Sequence, residues 1–109
     1  MMGLFSKQYQ DITPVAASTR DDLFRVDVRE PHELVSELGA VAGARNVPLG
    51  SVLKTGLPDV PKDTPLLVIC RSGGRSGRAA AALTQMGYGE VYNMAGGMIA
   101  WKDARLPRA

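Results

Sequence analysis

Leu66-Leu67-Val68-Ile69-Cys70 is an unbroken apolar run, and Arg71-Ser72-Gly73-Gly74-Arg75-Ser76 follows it directly, opening into Gly77-Arg78 and four alanines. The length and continuity of Leu66 to Cys70 suit a central strand covered on both faces. Gly74 to Met86 reads as a helix whose small alanines let it lie close on the sheet, closed by Gly87. A strand, a glycine-bearing loop and a helix in direct succession form one half of a parallel crossover unit.

The same alternation extends in both directions. Tyr9 to Ile12 suits a short edge strand, and Thr13-Pro14 an N-cap with proline at the first helical position, opening a helix to about Thr19. Leu23 to Val28 alternates as a strand does, after the turn Arg20-Asp21-Asp22. Glu30-Pro31 begins a helix that Gly39 is expected to end. Ala44 to Pro48 is a short strand stopped by proline, Leu49 to Leu53 a further helix, and Pro58 to Pro65 a proline-punctuated connection. Glu90 to Met94 is a strand, and Gly96-Gly97 leads into a last helix carrying Trp101. The expected fold is α/β: a central, mostly parallel sheet of about five strands with helices on both faces. In such sheets ligands sit outside the carboxyl ends of the strands. Cys70 stands at such an end.

A chain of 109 residues with 45% hydrophobic and 22% charged residues has the composition of a globular protein, and one domain, residues 1–109, is expected. A net charge of +2 gives no electrostatic reason to expect nucleic acid. Met1 to Lys7 lacks the pattern of a secretory leader, and no apolar stretch has the length of a membrane span, so no membrane association is expected. The single cysteine cannot form an internal disulfide and suits a reducing compartment, with the cytoplasm as the expectation.

Most lone cysteines are buried hydrophobes. Three local features point to a nucleophile instead. Gly73 and Gly74 permit the positive φ angles that turn successive amides inward as an anion nest. From Thr64 through Gly89 there is no acidic residue, while Arg71, Arg75 and Arg78 lie within that window. The loop also feeds a helix start, whose first N–H groups lack intrahelical partners. Helix polarity and nearby cations favour the thiolate, which is the reactive form. Cys70 is therefore the expected catalytic residue. Arg71, Ser72, Gly73, Gly74, Arg75 and Ser76 are expected to surround its substrate. His32, the only histidine, reads as a surface or capping residue, and with one cysteine no zinc site is expected. The glycines match neither a dinucleotide fingerprint nor a phosphate-binding P-loop. No cofactor is expected.

Asp27-Val28-Arg29-Glu30-Pro31, Gly43-Ala44-Arg45-Asn46-Val47-Pro48, the Cys70 to Ser76 loop, Gly87-Tyr88, Gly96-Gly97 and Ala100-Trp101 occur in that order, and over nearly its full length the chain resembles a single-domain rhodanese, a thiosulfate sulfurtransferase. Where many members read Gly-His-Ile-Pro-Gly-Ala, this chain has Gly39-Ala40-Val41-Ala42-Gly43-Ala44. A glycine common before the final Leu-Pro is Arg105 here. The resemblance implies that Cys70 accepts a sulfane sulfur from a donor such as thiosulfate and passes it, as a persulfide, to cyanide or a thiol, with a dithiol redox protein as a further acceptor. Arg71 would attract the dianionic donor. Arg75 would either face the anion or, the favoured alternative, brace the loop through a carboxylate such as Asp27, with Arg29 and Glu30 nearby. Cysteine phosphatases and arsenate reductases are rival chemistries with a similar cradle, but four residues separate Cys70 from Arg75 where phosphatases have five. A non-catalytic binding module on the same fold is a further alternative. A monomer is expected.

Overall fold

Five strands, β1 (Gln10–Ile12), β2 (Phe24–Asp27), β3 (Arg45–Asn46), β4 (Leu66–Ile69) and β5 (Val91–Met94), form one sheet in the order β1-β5-β4-β2-β3. Every pairing is parallel. The computed structural model describes residues 8–109, so the leader reading of Met1 to Lys7 lies outside the described residues. The helices are α1 (Pro14–Ser18), α2 (Pro31–Leu34), α3 (Leu49–Thr55), α4 (Gly74–Gln85) and α5 (Gly97–Asp103).

β4 is central and all four of its residues are buried. Because successive strand side chains point to opposite faces, it feeds two cores. Leu66, Val68 and Cys70 join Val52 of α3 and Ala79, Ala80 and Leu83 of α4 in one cluster. Leu67 and Ile69 join Ala17 of α1 and Met98 and Trp101 of α5 in the other. The helices thus cover both faces, as the alternation predicts.

Thr13 caps α1 as expected, its Oγ1 accepting the Ala16 amide at 3.2 Å. Helix α2 departs from expectation: it ends at Leu34 rather than running to Gly39. The Glu33 carbonyl, instead of receiving an amide one turn on, accepts the Ser36 amide at 3.1 Å, the Ser36 hydroxyl, and Arg29 Nη1 at 3.2 Å. Local side-chain donors have outcompeted the helical ladder. Val35, 88% exposed, contributes no burial that would favour continuing it.

Candidate active site

β4 delivers Cys70 to the carboxyl edge of the sheet, where the chain turns through Gly73, at φ +107°, into α4. The residue is only 1% exposed and belongs to the apolar cluster beneath α4. Cys70 is thus packed as a hydrophobe and, at the same time, held by hydrogen bonds to its sulfur. The Gly73 amide donates to Sγ at 3.0 Å, and Ser76 Oγ lies 3.2 Å from it. Burial pushes the thiol pKa up. The Ser76 hydroxyl, followed by the amides of Ser76, Gly73 and Ser72, outweighs burial and holds the thiol below its ordinary value.

The carbonyls of the same turn face away from the sulfur because α5 takes them. Met98 N–H donates to the Cys70 carbonyl at 2.9 Å and Ile99 N–H to the Arg71 carbonyl at 3.1 Å. This contact requires glycine at 97, where a Cβ would stand 2.5 Å from the Cys70 oxygen and from the Arg71 carbonyl carbon and oxygen. The amides of Ser72, Gly73 and Ser76 thus serve the sulfur while α5 takes the Cys70 and Arg71 carbonyls.

The arginines play a different part from the one composition suggests. Hydrogen bonds from a hydroxyl and backbone amides are the largest influences lowering the Cys70 pKa, and the Arg75 charge, which is also coupled to the sulfur, comes after them. Arg75 is turned to Glu33, with Nη1 2.8 Å from Oε2 and Nη2 2.9 Å from Oε1. This corrects the expected Arg75–Asp27 tie. Asp27 is instead claimed by Arg29, whose Nη2 is 2.8 Å from Oδ2 and whose Nε is 3.0 Å from Oδ1, both residues being fully buried. Arg29 also reaches the Glu33 and Gly39 carbonyls at 3.2 and 2.7 Å. The buried pair thereby fixes the segment that carries Glu33, and Glu33 holds Arg75. Arg71, Ser72, Gly74 and Arg78 are exposed on the loop and first helical turn, while Gly73 and Arg75 are half-buried and Ser76 is buried.

Two side chains that sequence reasoning passed over complete the site. Glu33 stands three residues after Glu30 and accepts its amide at 2.8 Å, a helix-start spacing that marks it as an anchored carboxylate. Asn93 is the one amide side chain within the largely buried Val91–Met94. Its Oδ1 accepts the Ser76 hydroxyl at 2.5 Å, and its Nδ2 donates to the Gly73 carbonyl and Asp11 Oδ1, both at 3.2 Å. Among the described residues, no group of three or more His, Cys, Asp or Glu is arranged to hold a metal ion.

A strand-end cysteine in a nest of amides, on a five-stranded parallel sheet, agrees with the family comparison, in which the rhodanese-like domain model matches residues 15–104. The chain belongs to the rhodanese-like domain family. It is 39% identical over 87 residues to a sulfurtransferase of Allochromatium vinosum, covering 80% of this chain and 78% of that one. It is 35% identical over 78 residues to the thiosulfate sulfurtransferase GlpE of Pseudomonas paraeruginosa, covering 72% of this chain and 68% of that one. The crystal structure of a rhodanese-related protein from Thermoplasma volcanium is similar with a TM-score of 0.78 at 31% identity, over 91% of this chain and 96% of that one. Placed among rhodanese-like domains, the chain has sulfurtransferase relatives and an α/β architecture shared with solved members.

Proposed function

We propose that this rhodanese-like chain acts as one catalytic unit that moves a sulfane sulfur from thiosulfate or a persulfide donor to cyanide or a thiol through Cys70. The observation that carries this reading is the hydrogen-bonded sulfur: Gly73 N–H and Ser76 Oγ lie against Sγ at 3.0 and 3.2 Å, and the thiol pKa is lowered despite burial. The thiolate attacks the outer sulfur of thiosulfate. The S–S bond to the sulfonate breaks, its electron pair leaves with sulfite, and Cys70 carries a terminal anionic sulfur. The loop amides stabilise that charge. Cyanide or a thiolate then attacks the terminal sulfur, and Cys70 Sγ departs as a thiolate ready for another cycle.

Exposed Arg71 offers a positive charge for a dianionic donor, the donor would pass Ser72, Gly73 and Gly74, and buried Ser76 would meet it only at the sulfur. Arg75 braces the loop from outside the nest, and Asp27 and Arg29 support the segment it grips. Its fork is filled by Glu33 rather than free to bind an oxyanion, which favours transfer of a single sulfur over a tetrahedral phosphate or arsenate. A monomer in the cytoplasm, receiving sulfur from small molecules and passing it to thiols or a dithiol redox protein, is consistent with one free cysteine.

Intact mass after treatment with thiosulfate tests the reading. The expected result is a gain of one sulfur atom, reversed by cyanide with release of thiocyanate and absent in Cys70→Ser. A wild-type chain that gains no sulfur from thiosulfate or from a glutathione persulfide overturns it.

A further inference from the structure

Ser76 has one hydroxyl proton and two neighbours able to take it: Asn93 Oδ1 at 2.5 Å and Cys70 Sγ at 3.2 Å. The orientation of Asn93 follows from its other partners. The Gly73 carbonyl and the Asp11 carboxylate only accept, so the NH2 group must face them and the carbonyl oxygen must face Ser76. That oxygen cannot donate. The Ser76–Asn93 contact therefore uses the Ser76 proton.

The Sγ–Oγ contact is then satisfied only if sulfur is the donor. With Cys70 neutral, S–H donates to Ser76 Oγ and Ser76 O–H donates to Asn93, leaving no buried polar atom unpaired. When the S–H proton is lost to solvent, the thiolate keeps its backbone amide donors and can gain one more, the Ser76 hydroxyl. Ser76 can supply it only by turning its proton away from Asn93, so that Oδ1 then faces an oxygen lone pair. Burying an acceptor without a partner is costly.

We propose that Ser76 is a hydroxyl switch shared between Cys70 and Asn93, in which Asn93 is a positioning residue that competes with the thiolate for the single Ser76 proton and so restrains ionisation of the nucleophile. The inference rests on Cys70 being the nucleophile of the proposed sulfur transfer. The charged groups around the sulfur are already engaged. On α4 and α2, Arg75 and Glu33 pair; on β2 and the turn after it, Asp27 and Arg29 pair; on β1, Asp11 accepts from Asn93. Arg71 is exposed in the loop and Arg78 on α4. The hydroxyl, rather than a free charge, is thus the nearest adjustable donor to the sulfur. In the persulfide the charge sits on the terminal sulfur, the inner sulfur no longer competes for the hydroxyl, and the Ser76 proton returns to Asn93 as sulfur is loaded.

The decisive feature is opposite signs at two residues in one chain of contacts. The apparent pKa of Cys70 is read from iodoacetamide alkylation rate against pH, which requires no transfer activity. Ser76→Ala removes the donor and is expected to raise the pKa by about one unit, a roughly tenfold loss in thiolate-to-thiol ratio. Asn93→Ala removes the competitor and is expected to lower it by about the same amount. Asn93→Leu, which fills the space without an acceptor, replaces it if the alanine variant does not fold. The double variant Ser76→Ala/Asn93→Ala is expected to match Ser76→Ala alone, because Asn93 acts through Ser76. A pKa that rises or stays unchanged on removing the Asn93 acceptor, or shifts that simply add in the double variant, overturns the switch. Thiosulfate loading by intact mass, run in parallel on the wild type, reports separately on the nucleophile: no sulfur gained there sinks the proposed function, whichever way the pKa values move.

Discussion

Arg75 and Glu33 meet fork to fork, Nη1 on Oε2 at 2.8 Å and Nη2 on Oε1 at 2.9 Å, joining the first turn of the loop-bearing helix to the short helix after β2. Glu33 Oε2 also accepts the Glu30 amide, so one carboxylate closes a helix start and anchors the loop that follows Cys70. The Arg75 hydrogen bonds, ahead of smaller contributions from the Glu30 amide and the charges of Arg75 and Arg29, hold the Glu33 pKa at about 2 despite partial burial.

That depression ties stability to acidity. Glu33 has its folded pKa below the unfolded value, so its contribution is complete above the unfolded pKa and disappears as pH falls through the folded one. Arg75 is 36% exposed, which limits the contribution to about 1 kcal/mol. Denaturant unfolding of wild type and Glu33→Gln should differ at pH 7 and converge between the ordinary carboxylate range and about pH 2. A gap that persists unchanged to pH 2 would show that the carboxylate charge is not what Arg75 uses.

The buried Asp27–Arg29 pair should be far less forgiving. Removing Arg29 as Arg29→Met leaves a carboxylate with no charge partner inside the protein and strips donors from the Glu33 and Gly39 carbonyls. A loss of roughly 3–5 kcal/mol is expected from urea unfolding. A loss under about 1 kcal/mol, the range of exposed pairs, would contradict the buried geometry.

Gly97→Ala tests the packing that turns the loop carbonyls away from sulfur. The new Cβ meets Cys70 and Arg71 backbone atoms at 2.5 Å, and the position has φ +59°. The loop must shift, and displacement of a reacting atom by about 1 Å costs on the order of 10²-fold in rate. Cyanide-dependent thiocyanate release should fall by that order, with the Cys70 alkylation pKa moving up as the amides lose their aim. Unaltered turnover would mean that α5 does not shape the nest.

Arg105 offers a gain rather than a loss. α4 and α5 end with the same pair of hydrogen bonds: Gly87 N–H to Thr84 and Tyr88 N–H to Leu83 in one, Arg105 N–H to Lys102 and Leu106 N–H to Trp101 in the other. Both ends place a left-handed residue after the cap, but the first has glycine at φ +110° and the second has arginine at φ +58°. A Cβ in that conformation costs about 1–2 kcal/mol, partly offset by the greater unfolded freedom of glycine. Arg105→Gly should therefore raise Tm by a few degrees, with a net gain of about 1 kcal/mol. A lower Tm would show that the arginine makes up for its own strain.

Much of this architecture was legible in short windows. Thr13-Pro14 caps and starts a helix, Leu66 to Ile69 is apolar enough for a strand buried on both faces, and the glycines after Cys70 permit the turn that brings an amide to its sulfur. The α2 segment misled because Pro31 and an acidic first turn signal where a helix begins, while its end was decided by Arg29 and Ser36 taking the Glu33 carbonyl.

The sequence by itself determined the alternating α/β order, the placing of a lone cysteine at a strand's carboxyl end, and a loop able to present amides to it. These depend on residue period, chain stiffness and the torsional freedom of neighbouring positions. Only the tertiary structure decided who pairs with whom: Glu33 rather than Asp27 for Arg75, 42 residues away, and Asn93 for Ser76, 17 residues away. Parallel crossovers carry residues distant in sequence to one edge of the sheet. There, distance and the number of available protons choose among partners that composition alone leaves equivalent.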